Sequence, residues 1–472
     1  MSSAPCRPAA IAVLDVGRTD VQLLAITADG EILSSRQAPN AVRSGEPYPH
    51  CDTEHLWRWM MAALADLGER FAITAIVPTS YGATAALVGA GELVLPILDY
   101  AADPPAGLAA EYAEIAPWFE ECFCPISPAG LTLGRQLFWQ SRAHADDFAR
   151  ARWILPFAQY WAWGLCGVPA CEATSLGAQT QLWDPRERDF SSLVGRQGWR
   201  AKFPPLRNAW DVLGPLQFEV ADRTGLPLET PVLCGIHRGG AELARCLAAG
   251  LEDFALIASG SWLVTCNPGR PLAALDPLRE MVASTDLLGR PVACARFLAA
   301  LEYAALAGPA AGPHAPSPSA ADVEALIARG TMALPSFTRS GGPFPGTGGK
   351  GRILGPRPGT ARERTALAAL YVALVASVGL DLLAARGRIV IGGSCADDPL
   401  FAPLLAALRP GQPVLASSER AGSALGAALL VGWTERSAPA PLALTPVAPA
   451  PIAGLASHAR AWRAAADATA RD

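Results

Sequence analysis

The chain repeats one order of predicted elements: three strands, a helix and a further strand. In the first half, IAVLD (11–15) and VQLLAIT (21–27) predict two strands on either side of the turn VGRTD, and EILSSRQA (31–38) predicts a third. The segment 52–70 carries an apolar stripe at helical spacing behind an Asp or Thr cap, and AITAIVPTSYG (72–82) predicts a buried strand that ends in a turn. The first half therefore has the order β-β-β-α-β.

The second half shows the same order. FALIASGSWLVTCNPG (254–269) predicts two strands joined by a Ser-Gly-Ser turn, and more strand, a long helix over 366–385 and the buried strand of GRIVIGGSC (387–395) follow. At 472 residues and 51% hydrophobic composition, the chain exceeds what one core usually fills. We therefore expect an α/β protein with two domains, 1–228 and 229–472, divided near the loop-like stretch DRTGLPLETP.

The composition favours a small-molecule partner. The chain has 38 basic and 43 acidic side chains, a formal charge of −5, without the basic block typical of nucleic-acid binding. It opens without a signal-peptide pattern, its 11 cysteines are scattered, and no long apolar run is free of charges and breakers. We expect a cytoplasmic protein without a membrane span. A metal site at His50, Cys51 and His55 is the weaker alternative to a solvated helix start there.

The turns DVGRTD and ASGSW lie at the same place in the two halves. A strand that turns at glycine beside Ser or Thr offers backbone N–H groups and a hydroxyl to phosphate oxygens, and an aspartate at the strand end can hold a hydrated cation. Taken singly, each turn is equally compatible with an ordinary tight hairpin. Their occurrence in both halves favours a pair of turns that grip one nucleotide.

Several motifs together resemble the FGGY carbohydrate kinases. LDVGRTDVQLLAITADGEIL (14–33) is similar to the first phosphate motif of that family, SGSW (259–262) to the second, and IGGSCADDPLF (391–401) with GSALGAALL (422–430) to the adenosine region. PTSYGATAALV (78–88), GELVLPILDY (91–100) and EATSLGAQTQLWDP (172–185) resemble the sugar-binding half of the fuculose- and rhamnulose-type branch. The resemblance spans nearly the whole chain.

This resemblance implies two ribonuclease-H-like domains of the actin and hexokinase superfamily with an interdomain cleft. The N-terminal domain would bind the sugar, and the C-terminal domain would bind ATP. Carried over residue by residue, the resemblance assigns magnesium binding through water to Asp15; phosphate binding to Gly17, Thr19, Gly260 and Ser261; adenosine contact to Gly392 and Gly393; and sugar binding to Tyr81, Asp99 and Tyr100.

The stretch VLCGIHRGGAEL (232–243) departs from the family pattern at its chemical centre. The family carries an aspartate after the histidine, and this aspartate takes the proton from the sugar hydroxyl, whereas this chain carries Arg238. An arginine side chain has no acceptor and cannot act as a general base. His237 and Glu242 are the nearest substitutes. An ion pair between Arg238 and Glu242, at i,i+4 spacing, is the purely structural alternative.

Smaller departures accompany Arg238. Asp20, Tyr81 and Asp398 stand where the resemblance leads us to expect Asn, His and Asn. The resemblance implies an ATP-dependent kinase of a ketose or related sugar, with ATP and magnesium as cofactors. A catalytically impaired pseudokinase or sensor that binds sugar and nucleotide is the alternative, and a chaperone-like ATPase is a distant third. The sugar and the oligomeric state stay open, with a homodimer among the alternatives.

Overall fold

The computed structural model describes residues 7–308, 317–419 and 421–470, which divide into two compact units. The first unit contains the chain up to Gly250 together with Ser284–Pro291 and Gly422–Pro441. The second unit contains Leu251–Ala283, Val292–Ala421 and the chain from Leu442 onward. The first unit continues beyond the division expected near residue 229 because the strands and the helix that follow this point pack against the first sheet.

The strands of the described residues, in chain order, are β1 (Ala9–Val16), β2 (Asp20–Ile26), β3 (Ile32–Pro39), β4 (Val42–Arg43), β5 (His50–Cys51), β6 (Ala72–Ser80), β7 (Ala85–Val88), β8 (Trp153–Pro156), β9 (Trp183–Asp184), β10 (Asp189–Phe190), β11 (Val212–Pro215), β12 (Pro231–Leu233), β13 (Ile236–His237), β14 (Phe254–Ser259), β15 (Leu263–Asn267), β16 (Met281–Thr285), β17 (Pro291–Phe297), β18 (Met332–Leu334), β19 (Arg352–Leu354), β20 (Arg388–Gly393), β21 (Val414–Ser417) and β22 (Leu444–Pro446).

The α-helices of the same residues are α1 (Thr53–Arg70), α2 (Ala106–Ile115), α3 (Phe119–Cys122), α4 (Leu133–Ala143), α5 (Ala145–Arg150), α6 (Phe157–Cys166), α7 (Ala173–Leu176), α8 (Ser192–Arg196), α9 (Phe218–Thr224), α10 (Arg238–Ala248), α11 (Ala299–Ala307), α12 (Ala320–Ala328), α13 (Ala361–Leu382), α14 (Ser394–Asp397), α15 (Phe401–Leu408), α16 (Gly422–Ala428) and α17 (Leu455–Thr469).

The first unit is built on a sheet with the strand order β11-β12-β6-β1-β2-β3. Strands β1, β2 and β3 form an antiparallel meander, and β6 returns parallel to β1 after helix α1. Helix α1 begins at the cap Asp52, whose side chain accepts a hydrogen bond from the backbone N–H of His55 at 3.1 Å. Leu56, Met60 and Leu64 lie buried on the apolar stripe of this helix. The predicted β-β-β-α-β order of the first half is confirmed.

The second unit repeats this arrangement. Its sheet has the order β16-β17-β15-β14-β20-β21-β22, in which β15 pairs antiparallel with β14, and β20 pairs parallel with it. The run β17-β15-β14-β20-β21 therefore corresponds to β3-β2-β1-β6-β12 of the first sheet. The prediction of two copies of one topology is confirmed.

Helix α13 forms much of the second core. It begins with a capping box in which the Thr360 hydroxyl and the Glu363 carboxylate each bond a backbone N–H of the other residue. The helix is long and apolar enough to cross a membrane by length and composition, with a mean hydropathy of 1.9, but 83% of its apolar window is buried within the protein. Packing inside a core accounts for its apolar sequence.

Candidate functional site

Asp15 lies at the carboxyl end of the central strand β1 and is 4% exposed. The sheet register explains how Arg238 reaches it, because Asp15 and Ile236 both pair with Thr79 on the parallel strand β6. The Asp15 Oδ1 atom forms an ion pair with the Arg238 Nε atom at 2.9 Å, and its Oδ2 atom accepts a hydrogen bond from the Ser423 hydroxyl at 2.6 Å. Groups of the protein itself therefore contact both carboxylate oxygens.

The turn after β1 brings backbone against the Arg238 guanidinium. The Gly17 N–H donates to the carbonyl of Asp20 at 2.8 Å, and the Gly17 carbonyl accepts from the Asn40 side chain at 2.6 Å. A Cβ atom at Gly17 would lie 2.6 Å from the Arg238 Nη1 atom. Glycine is therefore required for this close approach. Thr19, the other predicted phosphate contact, is exposed on the same turn.

His237 and Glu242, the two predicted substitute bases, occupy different electrostatic settings. Burial, together with the charge of Arg238, lowers the pKa of His237 to about 4. Burial raises the pKa of Glu242, which forms an ion pair with Arg245 at 3.6 Å. Arg238 pairs with Asp15, so the i,i+4 pair between Arg238 and Glu242 that spacing allowed is not the ion pair that the structure shows.

The structure brings the three predicted sugar-binding residues together. The rings of Tyr81 and Tyr100 meet edge to face with centroids 5.6 Å apart. Asp99 is buried and pairs with the Arg18 Nη2 atom at 2.9 Å, and the Arg18 guanidinium lies 5.5 Å from the Tyr100 ring centre. Sequence reasoning missed Arg18. Its signal was present, because Arg18 lies between Gly17 and Thr19 in the predicted phosphate turn.

A cavity of about 470 Å³ lies in the first unit beside this cluster. Its walls include Cys51, Trp57 and Tyr160, together with Arg43 and Asp52, which form an ion pair at 2.7 Å. Tyr81, Asp99 and Tyr100 are not among the residues that line it. The backbone N–H of Cys51 donates to the carbonyl of Ile97 at 2.9 Å, so the cavity wall and the segment that carries Asp99 are neighbours.

In the second unit, the predicted phosphate and adenosine residues lie at the ends of the two parallel strands β14 and β20. Ser259 and Gly393 are in register on these strands. The Ser259 hydroxyl donates to the Gly392 carbonyl at 2.9 Å and accepts from the Cys395 N–H at 2.8 Å. Gly260 is the next residue after Ser259. A Cβ atom at Gly260 would meet no other atom within 4 Å among the described residues. Sequence reasoning named the neighbours of Ser259 and missed the hydroxyl that joins the two turns.

Ser261 and Asp398 complete the predicted set in this unit. The carbonyl of Ser261 accepts from the N–H of Ala300 at 3.4 Å. Asp398 accepts hydrogen bonds from the N–H groups of Leu400 and Phe401, at 2.8 and 2.9 Å, and so caps the start of α15. An asparagine could make the same bonds through its side-chain oxygen, so the departure at Asp398 is structurally neutral.

Comparison with known proteins now decides the family. The family model of the FGGY carbohydrate kinase C-terminal domain matches residues 251–439. The crystal structure of a carbohydrate kinase from Novosphingobium aromaticivorans is 31% identical, covers 98% of this chain and 99% of its own, and superposes with a TM-score of 0.86. The chain belongs to the FGGY carbohydrate kinase family. A ligand-bound xylulose kinase from Lactobacillus acidophilus, 13% identical over 98% of this chain and 97% of its own, shares the fold with a TM-score of 0.81.

Within the FGGY family, the chain is similar to an enzyme of the predicted branch. It is 26% identical to the L-fuculokinase of Escherichia coli K12 over 270 residues, which are 53% of this chain. The alignment covers 55% of that enzyme, so the chain spans about half the length of the curated relatives it matches. The predicted family and the fold of FGGY sugar kinases are confirmed.

Proposed function

We propose that the protein phosphorylates a ketose or related sugar with ATP as the phosphate donor. The observation that carries this proposal is the position of Arg18. Its backbone belongs to the turn that contains Gly17 and Thr19, and its side chain pairs with Asp99 in the aromatic cluster. Hydroxyl acceptors and aromatic faces, the usual chemistry of a sugar site, are thus joined directly to the turn proposed to meet phosphate.

The reaction joins a sugar hydroxyl oxygen to the γ-phosphorus of ATP and breaks the bond between that phosphorus and the β–γ bridging oxygen, while the hydroxyl loses its proton. Arg238 cannot take this proton. Glu242 is already paired with Arg245, whereas the His237 Nδ1 atom is buried without a hydrogen-bond partner among the described residues. We therefore place proton acceptance at the neutral His237 ring, although a pKa of about 4 makes this ring a weak base.

The expected cost of this arrangement is a slow chemical step. General-base assistance contributes about 10²- to 10⁴-fold, whereas phosphoryl transfer relies mainly on alignment and on stabilisation of charge at the γ-phosphate. Loss of the usual aspartate is therefore compatible with activity. Within the first unit, Arg18 and Asp99 would orient the sugar, and the turn at Gly17 would contact phosphate.

The residues around Asp15 do not fit a magnesium ion held by this carboxylate as they are arranged here. Arg238 and Ser423 contact its two oxygens. Among residues 7–308, 317–419 and 421–470, no group of three or more His, Cys, Asp or Glu side chains is arranged to hold a metal ion. Magnesium binding through water at Asp15 stays a prediction, which the contacts of Arg238 and Ser423 do not support. We derive no step from a metal at this carboxylate.

The ion pair between Asp15 and Arg238 favours a second candidate, a protein that binds sugar and nucleotide without turnover. Arg238 contributes a positive charge where the resemblance implies a carboxylate. It also forms an ion pair with the carboxylate of Asp15 on β1. Such a protein would act as a sensor that keeps the binding sites of the family. Cytoplasmic location and homodimer formation remain predictions for either candidate.

The deciding experiment measures ATP consumption with and without a panel of ketoses and related sugars. Sugar-dependent turnover means a kinase, sugar binding without turnover means a sensor, and sugar-independent hydrolysis means an ATPase.

Asp99→Asn should weaken sugar binding at least about tenfold without changing ATP affinity, because it removes a charged hydrogen-bond acceptor. Asp66→Asn is the matched control, since Asp66 also pairs with an arginine, Arg36, but on the surface. Equal effects of the two substitutions would remove the sugar-site assignment.

A further inference from the structure

The guanidinium of Arg238 occupies a slot made by three parts of the first unit. Its Nε atom lies 2.9 Å from Asp15 Oδ1 and 3.4 Å from the Ser423 hydroxyl, and its Nη1 atom lies against the Cα atom of Gly17. We infer that Arg238 takes the place of a divalent cation at Asp15, as a positive charge that the chain itself carries. This inference deepens the proposed function, on which it rests only for the placement of phosphate at the neighbouring turn.

The start of α10 holds Arg238 in this position. The backbone N–H of His237 donates to the Thr174 hydroxyl at 3.0 Å, and this hydroxyl donates to the Glu172 carboxylate at 2.6 Å. Glu172 is 1% exposed and also accepts from the backbone N–H groups of Thr174 and Ser175. A buried network therefore fixes the backbone from which the arginine side chain extends, so the guanidinium lies in a prepared position.

The charges near Asp15 explain why a cation is needed there. Asp20 approaches the same turn, since a Cβ atom at Gly17 would lie 3.0 Å from its Oδ1 atom. Burial raises the pKa of both Asp15 and Glu242, and the positive charge of Arg238 acts against this rise at each carboxyl group. Burial of Asp15 without a counter-charge would be costly, and the guanidinium supplies this charge permanently.

A tethered cation has a consequence that a bound ion does not have. It cannot dissociate, so the charge at Asp15 does not depend on the concentration of metal. The Arg238 side chain is 35% exposed, so it is not sealed off from solvent, and a guanidinium can donate charge-assisted hydrogen bonds to a phosphate oxygen. The wild-type protein should therefore have no divalent-cation site that depends on Asp15, and an acidic residue in place of Arg238 should create one.

The test titrates Mn²⁺ alone into the full-length protein and counts free Mn²⁺ by electron paramagnetic resonance. We expect Arg238→Asp to bind one Mn²⁺ at least about tenfold more tightly than the wild type, because two carboxylates then face one another without a cation. The double variant Asp15→Asn with Arg238→Asp should lose this site. Arg36→Asp is the matched control, since Arg36 pairs with Asp66 at 2.8 Å in an exposed position, where mobile carboxylates bind Mn²⁺ weakly.

Two results would overturn the inference. The first is that the wild type binds Mn²⁺ and Asp15→Asn abolishes this binding. The second is that Arg238→Asp binds Mn²⁺ no more tightly than Arg36→Asp does. If Arg238→Asp does not fold, the wild type and Asp15→Asn still test whether the wild type has a site that depends on Asp15. Arg238→Glu, which also supplies a second carboxylate, then replaces Arg238→Asp in the comparison with Arg36→Asp. The measurement uses neither sugar nor ATP. If the expected Mn²⁺ binding is found but ATP consumption does not depend on sugar, the proposed kinase is refuted and the inference stands. If ATP consumption depends on sugar but the expected Mn²⁺ binding is not found, the inference alone is refuted.

Discussion

At the carboxyl end of β13, two adjacent residues meet opposite electrostatic conditions. The Arg238 side chain forms an ion pair with the Asp15 carboxylate, 2.9 Å away. His237 remains neutral because burial and the positive charge of Arg238 both disfavour protonation, which lowers its pKa from 6.5 to about 4. One residue thus supplies a fixed charge, and the other supplies an unprotonated ring across the physiological pH range.

This arrangement predicts a pH-dependent contribution to stability. In the unfolded chain His237 takes up a proton near pH 6.5, whereas in the folded protein it does so only near pH 4. Between these values the unfolded state binds more protons, so stability falls as the pH falls from 6.5 to 4, by up to about 3 kcal/mol. The free energy of unfolding by urea, measured over this range, should fall more steeply in the wild type than in His237→Asn. Parallel curves for the two proteins would contradict the assignment.

Arg238 carries the second residue-scale prediction. Arg238→Asp supplies the carboxylate acceptor that the resemblance implies at this position and, under the proposed function, should raise sugar-dependent turnover by up to about 10²- to 10⁴-fold. Arg238→Asn removes the cation without adding a base, so it should not reproduce this gain. Steady-state kcat with the sugar that binds best is the measurement. Brisk wild-type turnover that Arg238→Asp abolishes would instead mean that the arginine contacts substrate or the transferring phosphate.

The sequence predicted part of this residue chemistry. It predicted that Arg238 cannot be a base, since that follows from the side chain alone. It did not predict the pairing with Asp15, because local spacing offers Glu242 four residues later, while Asp15 becomes a neighbour only through the register of two strands on β6. The contact of Ser423 with Asp15 could not be predicted either, because 408 positions of sequence separate the two residues.

At the scale of elements, the parallel pairing of β14 and β20 sets the shape of the turns that follow these two strands. Gly393 has φ +72° and ψ −159°, a conformation that is practically confined to glycine. A Cβ atom there would lie 2.1 Å from the backbone oxygen of Ser259. The turn after β20 therefore depends on glycine twice, through its dihedral angles and through the close approach of the two strands.

Gly393→Ala should accordingly destabilise the protein by about 2 kcal/mol or more, because it adds backbone strain to a contact with rigid backbone. Gly379→Ala in α13 is the matched control in the same unit. A Cβ atom there would lie at ordinary contact distances, 3.6 Å from the Thr265 hydroxyl and 3.7 Å from Ala295, so alanine should be neutral or stabilising. Urea unfolding of both variants measures the difference, and similar midpoints would refute the role given to Gly393.

Element prediction succeeded where the apolar pattern was strong. The strands around Asp15 were predicted from continuous apolar runs bounded by turns, and helix α1 from apolar residues at spacings of three to four. The two-residue strands β4 and β5 were not predicted, since so short a run carries no periodic signal. The residue types predicted an Asp or a Thr as the N-cap of α1, and the structure shows that the cap is Asp52.

At the scale of the whole molecule, the chain does not divide at one point. The first unit recruits Ser284–Pro291 and Gly422–Pro441 from the C-terminal half of the sequence. Thr285, in the first of these segments, packs closely against Gly177 of the N-terminal half. A Cβ atom at Gly177 would lie 2.4 Å from the Thr285 hydroxyl. The repeated topology itself begins again after residue 250, because β12, β13 and α10 belong to the first unit and the second run of strands starts at β14. Sequence alone could not reveal the returning segments, because their contacts join residues that are far apart in the chain.

Helix α16 is the clearest case of such a return. Its residues Ala424 and Ala427 are fully buried within the first unit, and Leu425 is 7% exposed. A Cβ atom at Gly426 would lie 1.9 Å from the carbonyl oxygen of Ala241, so α16 and α10 touch backbone to backbone. Since α16 also supplies the Ser423 hydroxyl to Asp15, the first unit lacks both packing and a buried hydrogen bond without this helix.

A fragment of residues 7–250 should therefore be much less stable than the same fragment joined by a flexible Gly/Ser linker to residues 422–441. The shorter fragment exposes the apolar face of α10 and the sheet that α16 covers, and it leaves Asp15 without the Ser423 hydroxyl. Urea unfolding followed by tryptophan fluorescence should give a cooperative transition for the longer fragment and a lower midpoint, or none, for the shorter one. Gly426→Val in the longer fragment should abolish the gain, because a branched side chain cannot fit between the two helices. Equal midpoints for the two fragments would mean that residues 7–250 fold without the returning helix.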